Sequence, residues 1–238
     1  MGRVGEFIIT MLRLNPILET ITEKLSDKFH SHNFLVESVN NTSSDKSIIF
    51  ISEGIDISYK FLLDFKRDTT IIFLYISLYS KEIISLMRNA KIYQEKRSVF
   101  SVDIGFLINP LNKDGYFNSN DNKEIKIYPN LDDVIENIYT NYFIEGTKKF
   151  IDKTNSIFKL DTLINEKVII DRKIKPLVYF GSSSLLQIMV GLMVSFLCKN
   201  PWFEILQHVY TDYVNQFDSS KYNLVVKFHR LLEHLKEQ

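Results

Sequence analysis

Near Asn130 the hydrophobic repeat of this chain changes from two residues to about 3.6, and that change limits what it can fold into. Before it, apolar residues alternate with polar ones in short β-rich runs. After it, they recur as helical stripes. Strands grouped in one half and helices in the other assemble as an α+β fold, not as a doubly wound parallel sheet. The expectation is an N-terminal helix plus an antiparallel sheet of about five strands in a domain spanning 14–130, with an all-helical C-terminal region, 131–238, packed on it.

The spacing of Ile17, Leu18, Ile21, Leu25 and Phe29 predicts an amphipathic helix from Asn15 to His30, with Glu19, Glu23, Lys24 and Lys28 on its other face. Asn15 can cap the free N–H groups, and Pro16 suits the first helical position. Phe34–Val39 and Ile48–Ser52 read as strands around the turn-rich Asn40–Asp45. Ile57–Phe65 alternates apolar with mostly polar residues. Thr70–Leu78 is apolar on both faces and is placed at the centre of the sheet. A short helical or irregular segment around Ile83–Lys91 leads to an alternating strand over Phe100–Ile108. Asn109–Lys123 is a polar loop, and Ile125–Tyr128 is an edge strand closed by Pro129.

From Asn130 onward, Leu131, Val134, Ile135, Ile138, Tyr142 and Phe143 form a stripe, with Asp132 and Asp133 in the first turn where the helix dipole favours them. Shorter helices are expected over Gly146–Lys153 and Asp161–Ile169, and two more over Pro201–Phe217 and Ser220–Glu237. Leu185–Cys198 is apolar all round, with Ser182-Ser183-Ser184 available to cap it. It falls short of the roughly 20 residues needed to span hydrocarbon, so it reads as a buried central helix. No membrane partner is expected. At the N-terminus Glu6 and Arg13 bracket only a short apolar run, unlike a secretory signal.

Composition removes several function classes. Of 238 residues, 45% are hydrophobic and 24% charged, the balance of an ordinary folded chain. The 29 basic and 29 acidic residues cancel, which gives no support to a basic nucleic-acid-coating protein or an acidic nucleic-acid mimic. The single Cys rules out a disulfide framework and a cysteine zinc ribbon, and it accords with a cytoplasmic location.

Tests for chemistry leave no catalytic residues, no metal site and no cofactor. His30, His32, His208, His229 and His234 contain no HExxH pair, and no third ligand accompanies His30-Ser31-His32. Cys198 has no base nearby in sequence and reads as a structural thiol. Gly181-Ser182-Ser183-Ser184 lacks the second glycine of a nucleophile elbow. With 8 glycines there is neither a phosphate-binding loop nor a dinucleotide fingerprint. Aligning Gly115 to the invariant glycine of a calcium loop puts Pro110 at the first ligand position and Asp121 at the last, so that match fails.

Glu23, Asp56, Asp64 and Lys66 are the residue types of a Mg²⁺-dependent, restriction-type nuclease. Asp56 and Asp64 share one unbroken segment, however, which puts them roughly 25 Å apart at about 3.3 Å per residue. Nucleic-acid binding through basic residues such as Lys91, Lys96 and Arg97 is a further alternative. Tyr116 and Phe117, aromatics on a polar loop, are the candidate partner-binding residues.

The opening helix Asn15–His30, the strand Ile57–Phe65, the segment Ser98–Asn109 with its Asp103-Ile104-Gly105-Phe106, and the helix from Leu131 to Phe143 occur in an order that resembles a bacterial family of unknown function, which includes immunity proteins of polymorphic toxin systems. The resemblance covers the first two-thirds of the chain. It implies a non-catalytic protein-interaction module that binds and blocks another protein chain, such as a toxin-immunity factor or a subunit of a bacterial defence complex.

Overall fold

Alternation in the first half produces an antiparallel sheet. The computed structural model describes residues 16–42, 46–66, 71–92, 98–104, 107, 125–126, 130–174, 177, 184–217 and 222–238. Strands β1 (Leu35–Asn41), β2 (Lys46–Ser52), β3 (Ser58–Lys66), β4 (Ile71–Tyr79) and β5 (Phe100–Asp103) pair in chain order. The short β6 (Ile125–Lys126) pairs with the first residues of β4, and β5 with its last ones, so both lie along the same side of β4. β4 is therefore an interior strand, paired on both sides, although β3 rather than β4 lies at the middle of the strand order. The two faces of β4 differ: Ile72, Leu74, Ile76 and Leu78 are buried, whereas Phe73, Tyr75, Ser77 and Tyr79 are half-buried. β5 is shorter than expected, because the chain turns at Ile104, whose N–H still reaches the Leu74 carbonyl at 2.9 Å.

Helix α1 (Pro16–His30) lays Leu18, Ile21, Leu25 and Phe29 on the inner face of this sheet, all four fully buried. It stops because Asn33 adopts a left-handed backbone, φ 61°. The Asn33 N–H then bonds His30 O at 3.0 Å and the Phe34 N–H bonds Phe29 O at 3.1 Å, satisfying carbonyls that the helix end would orphan. Asn tolerates this conformation better than most residues with a Cβ.

Phe29 is also where the two halves meet. Its ring packs edge-on against Phe50 at 4.8 Å and Phe61 at 5.1 Å, and it stacks on Phe143 at 4.2 Å with 24° between the planes. Each such pair contributes about 0.5–1.5 kcal/mol beyond the apolar area it buries. Outside this cluster, Lys24 pairs with Asp132, while Lys28 pairs with Glu136 at 2.8 Å and lies over the Tyr139 ring.

Helix α2 (Lys81–Asn89) separates β4 from β5 and is capped by Ser80. After α3 (Leu131–Asn137) the helical path does not break before Gly146, where the sequence suggests the start of a separate, shorter helix. It continues as a π-helical segment, Ile138–Lys148, and then as α4 (Lys149–Thr154). The buried residues Ile138, Tyr142, Phe143 and Thr147 include steps of five, which suit the wider helix. Helices α5 (Ile157–Asp171), α6 (Ser184–Leu197), α7 (Phe203–Val214) and α8 (Tyr222–Lys236) complete the fold. Ser182 and Ser183, the expected caps of α6, lie outside the described residues, as does Asn15.

Helix α6 is surrounded by α2, α5, α7 and α8 and is the buried central helix its composition predicts. At 14 residues it is about 21 Å long, against the ~30 Å of a hydrocarbon core. Among the described residues no helix is long and apolar enough to cross a membrane. A single hydrophobic cluster runs from α1 and the sheet through to α8.

The helices approach closely at Gly191. Asn165 donates to Gly191 O at 2.8 Å and to Asp161 at 2.6 Å, Asn200 donates to Asp161 at 2.7 Å, and the Tyr210 hydroxyl donates to Asn165. Burial raises the Asp161 carboxyl above its ordinary value, and the two Asn bonds partly oppose the shift. A Cβ at Gly191 would meet Tyr210 Oη at 2.7 Å, Asn165 Oδ1 at 2.8 Å and Ile164 Cγ2 at 2.9 Å. Gly191→Ala gains about 1 kcal/mol of helix propensity but overpacks three atoms of a buried network. The expected result is a net loss of about 1–2 kcal/mol, read as a lower urea midpoint at unchanged slope. A gain in stability would contradict the packing described.

Candidate functional site

Three local features of the chain meet at one end of the sheet. The first is the left-handed Asn33 in the α1–β1 turn. The second is the β2–β3 connection, where a Cβ on Gly54 would stand 2.2 Å from the Ile57 carbonyl oxygen, so this turn requires glycine. The third is the π-helical segment, a rare conformation found frequently at functional sites. Together they enclose a cleft of about 340 Å³, at the small end of the range for ligand sites.

Each wall brings a different chemistry. The α1–β1 turn supplies Ser31, His32, Asn33 and Phe34. The end of β2 and the start of β3 supply Ser52, Gly54, Ile57 and Tyr59. The π segment and α4 supply Phe143, Lys148, Ile151, Asp152 and Asn155. The floor is apolar, the rim carries uncharged polar groups, and one ammonium and one carboxylate face the opening. That mixture, few polar groups converging on an apolar surface, is the composition of a binding site.

Two groups in the cleft have perturbed protonation. The Tyr59 hydroxyl bonds Thr154 Oγ1 at 2.9 Å, and Thr154 Oγ1 donates to Phe150 O at 2.9 Å. Thr154 has only one proton to give, so the Tyr59 hydroxyl is the donor in its bond. Burial, and secondarily Asp152, raises the Tyr59 ionisation well above its ordinary range, so the phenol stays protonated. His32 Nε2 lies 3.1 Å from Tyr139 Oη, with the ring 5.2 Å from Phe143. Burial, then the Lys148 ammonium, pulls its pKa below 6.5, so the imidazole is neutral at neutral pH.

The residues singled out from the sequence do not converge. Tyr116 and Phe117 lie outside the described residues, as do Lys96, Arg97 and the attempted calcium loop. Lys91, the remaining basic candidate, sits in a left-handed turn after α2. Asp64 alternates with the buried Leu63 and Phe65, so it faces the side of the sheet away from α1, ion-paired to Lys66 at 2.8 Å. Glu23 is exposed on α1, on the opposite side, and Asp56 lies in the loop before β3. His208 is on α7, and His229 and His234 on α8. Among the described residues no three His, Cys, Asp or Glu side chains are grouped to hold a metal ion. Burial, then Asp161 and Asp56, pushes the Cys198 thiol up to about 11, which keeps it protonated and unreactive.

Of the cleft residues, only Ser31 and His32, in His30-Ser31-His32, and Gly54, beside Asp56, belong to patterns considered for chemistry in the sequence. The five-residue steps from Ile138 to Phe143 and from Tyr142 to Thr147 are the signal that Lys148 and Asp152 turn toward the sheet. The lone glycine in Ser52-Glu53-Gly54-Ile55-Asp56 marks the opposite wall.

An NMR titration of the His32 ring is expected to give a midpoint below 6.5, and Lys148→Gln is expected to raise it without restoring 6.5, because burial is the larger cause. A folded-state pKa below the unfolded one stabilises the protein above 6.5, and that contribution is lost as pH falls through the lowered midpoint. A wild-type midpoint at or above 6.5 would contradict the environment described.

Comparison with protein-family models, with curated proteins and with solved structures found no match to the chain.

Proposed function

We propose that the chain is a non-catalytic protein-interaction module, and that its partner docks around the mouth of the cleft. The observation that carries this reading is the placement of exposed apolar residues. Six large hydrophobic side chains are exposed among the described residues: Leu35, Val36, Ile55, Phe158, Ile170 and Trp202. The first four adjoin cleft-lining residues in the chain. Leu35 (56% exposed) and Val36 (40%) follow Phe34, Ile55 (103%) follows Gly54, and Phe158 (68%) lies three residues after Asn155, at the start of α5. Exposed apolar side chains flanking all three walls of one cleft support an interaction surface there.

The strand edge at this site is not open for sheet extension along its length. β1 carries a bulge at Glu37, whose carboxylate crosses to Lys60, and beyond it only Val39, which packs against the core, interrupts the polar Ser38, Asn40 and Asn41. Bulges and charges of this kind discourage edge-to-edge pairing. The partner is therefore held by side-chain contacts at the start of β1 and the β2–β3 loop.

In its finer form the proposal is a toxin-immunity factor or a subunit of a bacterial defence complex acting in the cytoplasm. This rests on the resemblance carried by the opening helix, the strand ending at Phe65, the segment Ser98–Asn109 and the helix beginning at Leu131.

The test is co-expression with the products of adjacent genes, followed by affinity measurement on whichever chain is retained. Ile55→Asp and Leu35→Asp are each expected to weaken that complex by about tenfold or more, as anchoring residues do, with the urea midpoint changed by no more than ~0.5 kcal/mol equivalent, as for other surface substitutions. A monodisperse monomer that retains no partner, or a complex indifferent to both substitutions, would overturn the proposal.

A further inference from the structure

Two opposite charges share the cleft without meeting. Lys148 and Asp152 stand four residues apart at the junction of the π segment with α4, and both line the opening. Neither forms an ion pair with the other or with any other described residue. Their order explains why. A carboxylate N-terminal to an ammonium at this spacing pairs better than the reverse. On the same stretch Glu145 and Lys149, carboxylate first, do pair. Lys148 and Asp152, ammonium first, do not.

The two charges also act on different walls. The ammonium of Lys148 is felt by His32 in the α1–β1 turn, and the carboxylate of Asp152 by Tyr59 on β3. The cleft thus carries one cationic and one anionic side chain, both solvent-exposed and with the Lys159 ammonium donating to the Asp152 carbonyl at 2.9 Å, above a floor that includes Phe34, Ile57, Phe143 and Ile151. Its volume, about 340 Å³, fits a small molecule.

We infer that the cleft binds a small zwitterion with an apolar side chain: a free α-amino acid of aliphatic or aromatic type, or a dipeptide. The ligand carboxylate meets Lys148, its ammonium meets Asp152, and its side chain rests on the apolar floor. Charge-assisted bonds of this kind are stronger than those between neutral groups, and a ligand with both charges satisfies both side chains at once. This inference concerns the inside of the cleft and stands apart from the partner reading, which concerns the apolar residues outside it.

Isothermal titration calorimetry on the full chain tests it, using L-leucine, L-phenylalanine and L-leucyl-L-leucine beside N-acetyl-L-leucine and L-leucine methyl ester. Each of the last two lacks one charge. The expected result is saturable binding of at least one zwitterion, with each capped form weaker by roughly tenfold or more. Lys148→Gln and Asp152→Asn are each expected to weaken the zwitterion to a similar degree, whereas Lys153→Gln, an exposed lysine that does not line the cleft, leaves it unchanged. Tighter binding of the dipeptide than of leucine assigns the source as peptide ends, and the converse assigns it as free amino acid. Absence of binding by all three zwitterions overturns the inference. So does equal binding of the capped forms, or binding that survives both cleft substitutions.

Discussion

The stacked contact between Phe29 and Phe143 is the constraint on which the rest of the arrangement depends. Phe29 comes from the last turn of the helix that covers the sheet, and Phe143 from the middle of the π segment. Both are essentially fully buried, and both also touch Phe34 and Phe61. Joining residues more than a hundred positions apart, the contact fixes where the second half of the chain lies on the first. The ion pairs of Lys24 and Lys28 across α1 and α3 lie at the surface, where water screens them, so they orient the two helices more than they hold them together.

The cleft is a consequence of that contact. To bury Ile138, Tyr142, Phe143 and Thr147 against the sheet, the helix widens, and the Thr147 hydroxyl reaches back five residues to the Tyr142 carbonyl at 3.1 Å. The widening carries Lys148 and Asp152 to the end of the sheet, where the Asn33 turn and the Gly54 turn form the facing walls. A left-handed Asn33, a glycine that leaves no room for a Cβ and a π-helical segment thus come together at one place.

Much of the fold is legible in the sequence. The alternation in Ile57–Phe65 and the stripe in the opening helix carry enough period to place β3 and α1 to within a residue or two. The apolar run at Leu185–Cys198 places the central helix. What is not legible depends on tertiary packing. A π segment differs from an α-helix by one residue per turn, a difference that a sequence stripe blurs, and Gly146 reads as a helix break although it is buried inside a continuous helix. The cleft is harder still, because its walls come from three distant segments and none carries a recognisable motif. Conversely, the sequence already separates Asp56 from Asp64 along one strand, but only strand pairing shows that Asp64 and Glu23 lie on opposite sides of the sheet.

The most direct test of this account is a double-mutant cycle on Phe29→Leu and Phe143→Leu, followed by urea unfolding. The account predicts a coupling of about 0.5–1.5 kcal/mol between the two positions, because each ring loses its aromatic partner when the other is replaced. Effects that simply add, to within about 0.3 kcal/mol, would show that the rings do not depend on one another and would contradict it.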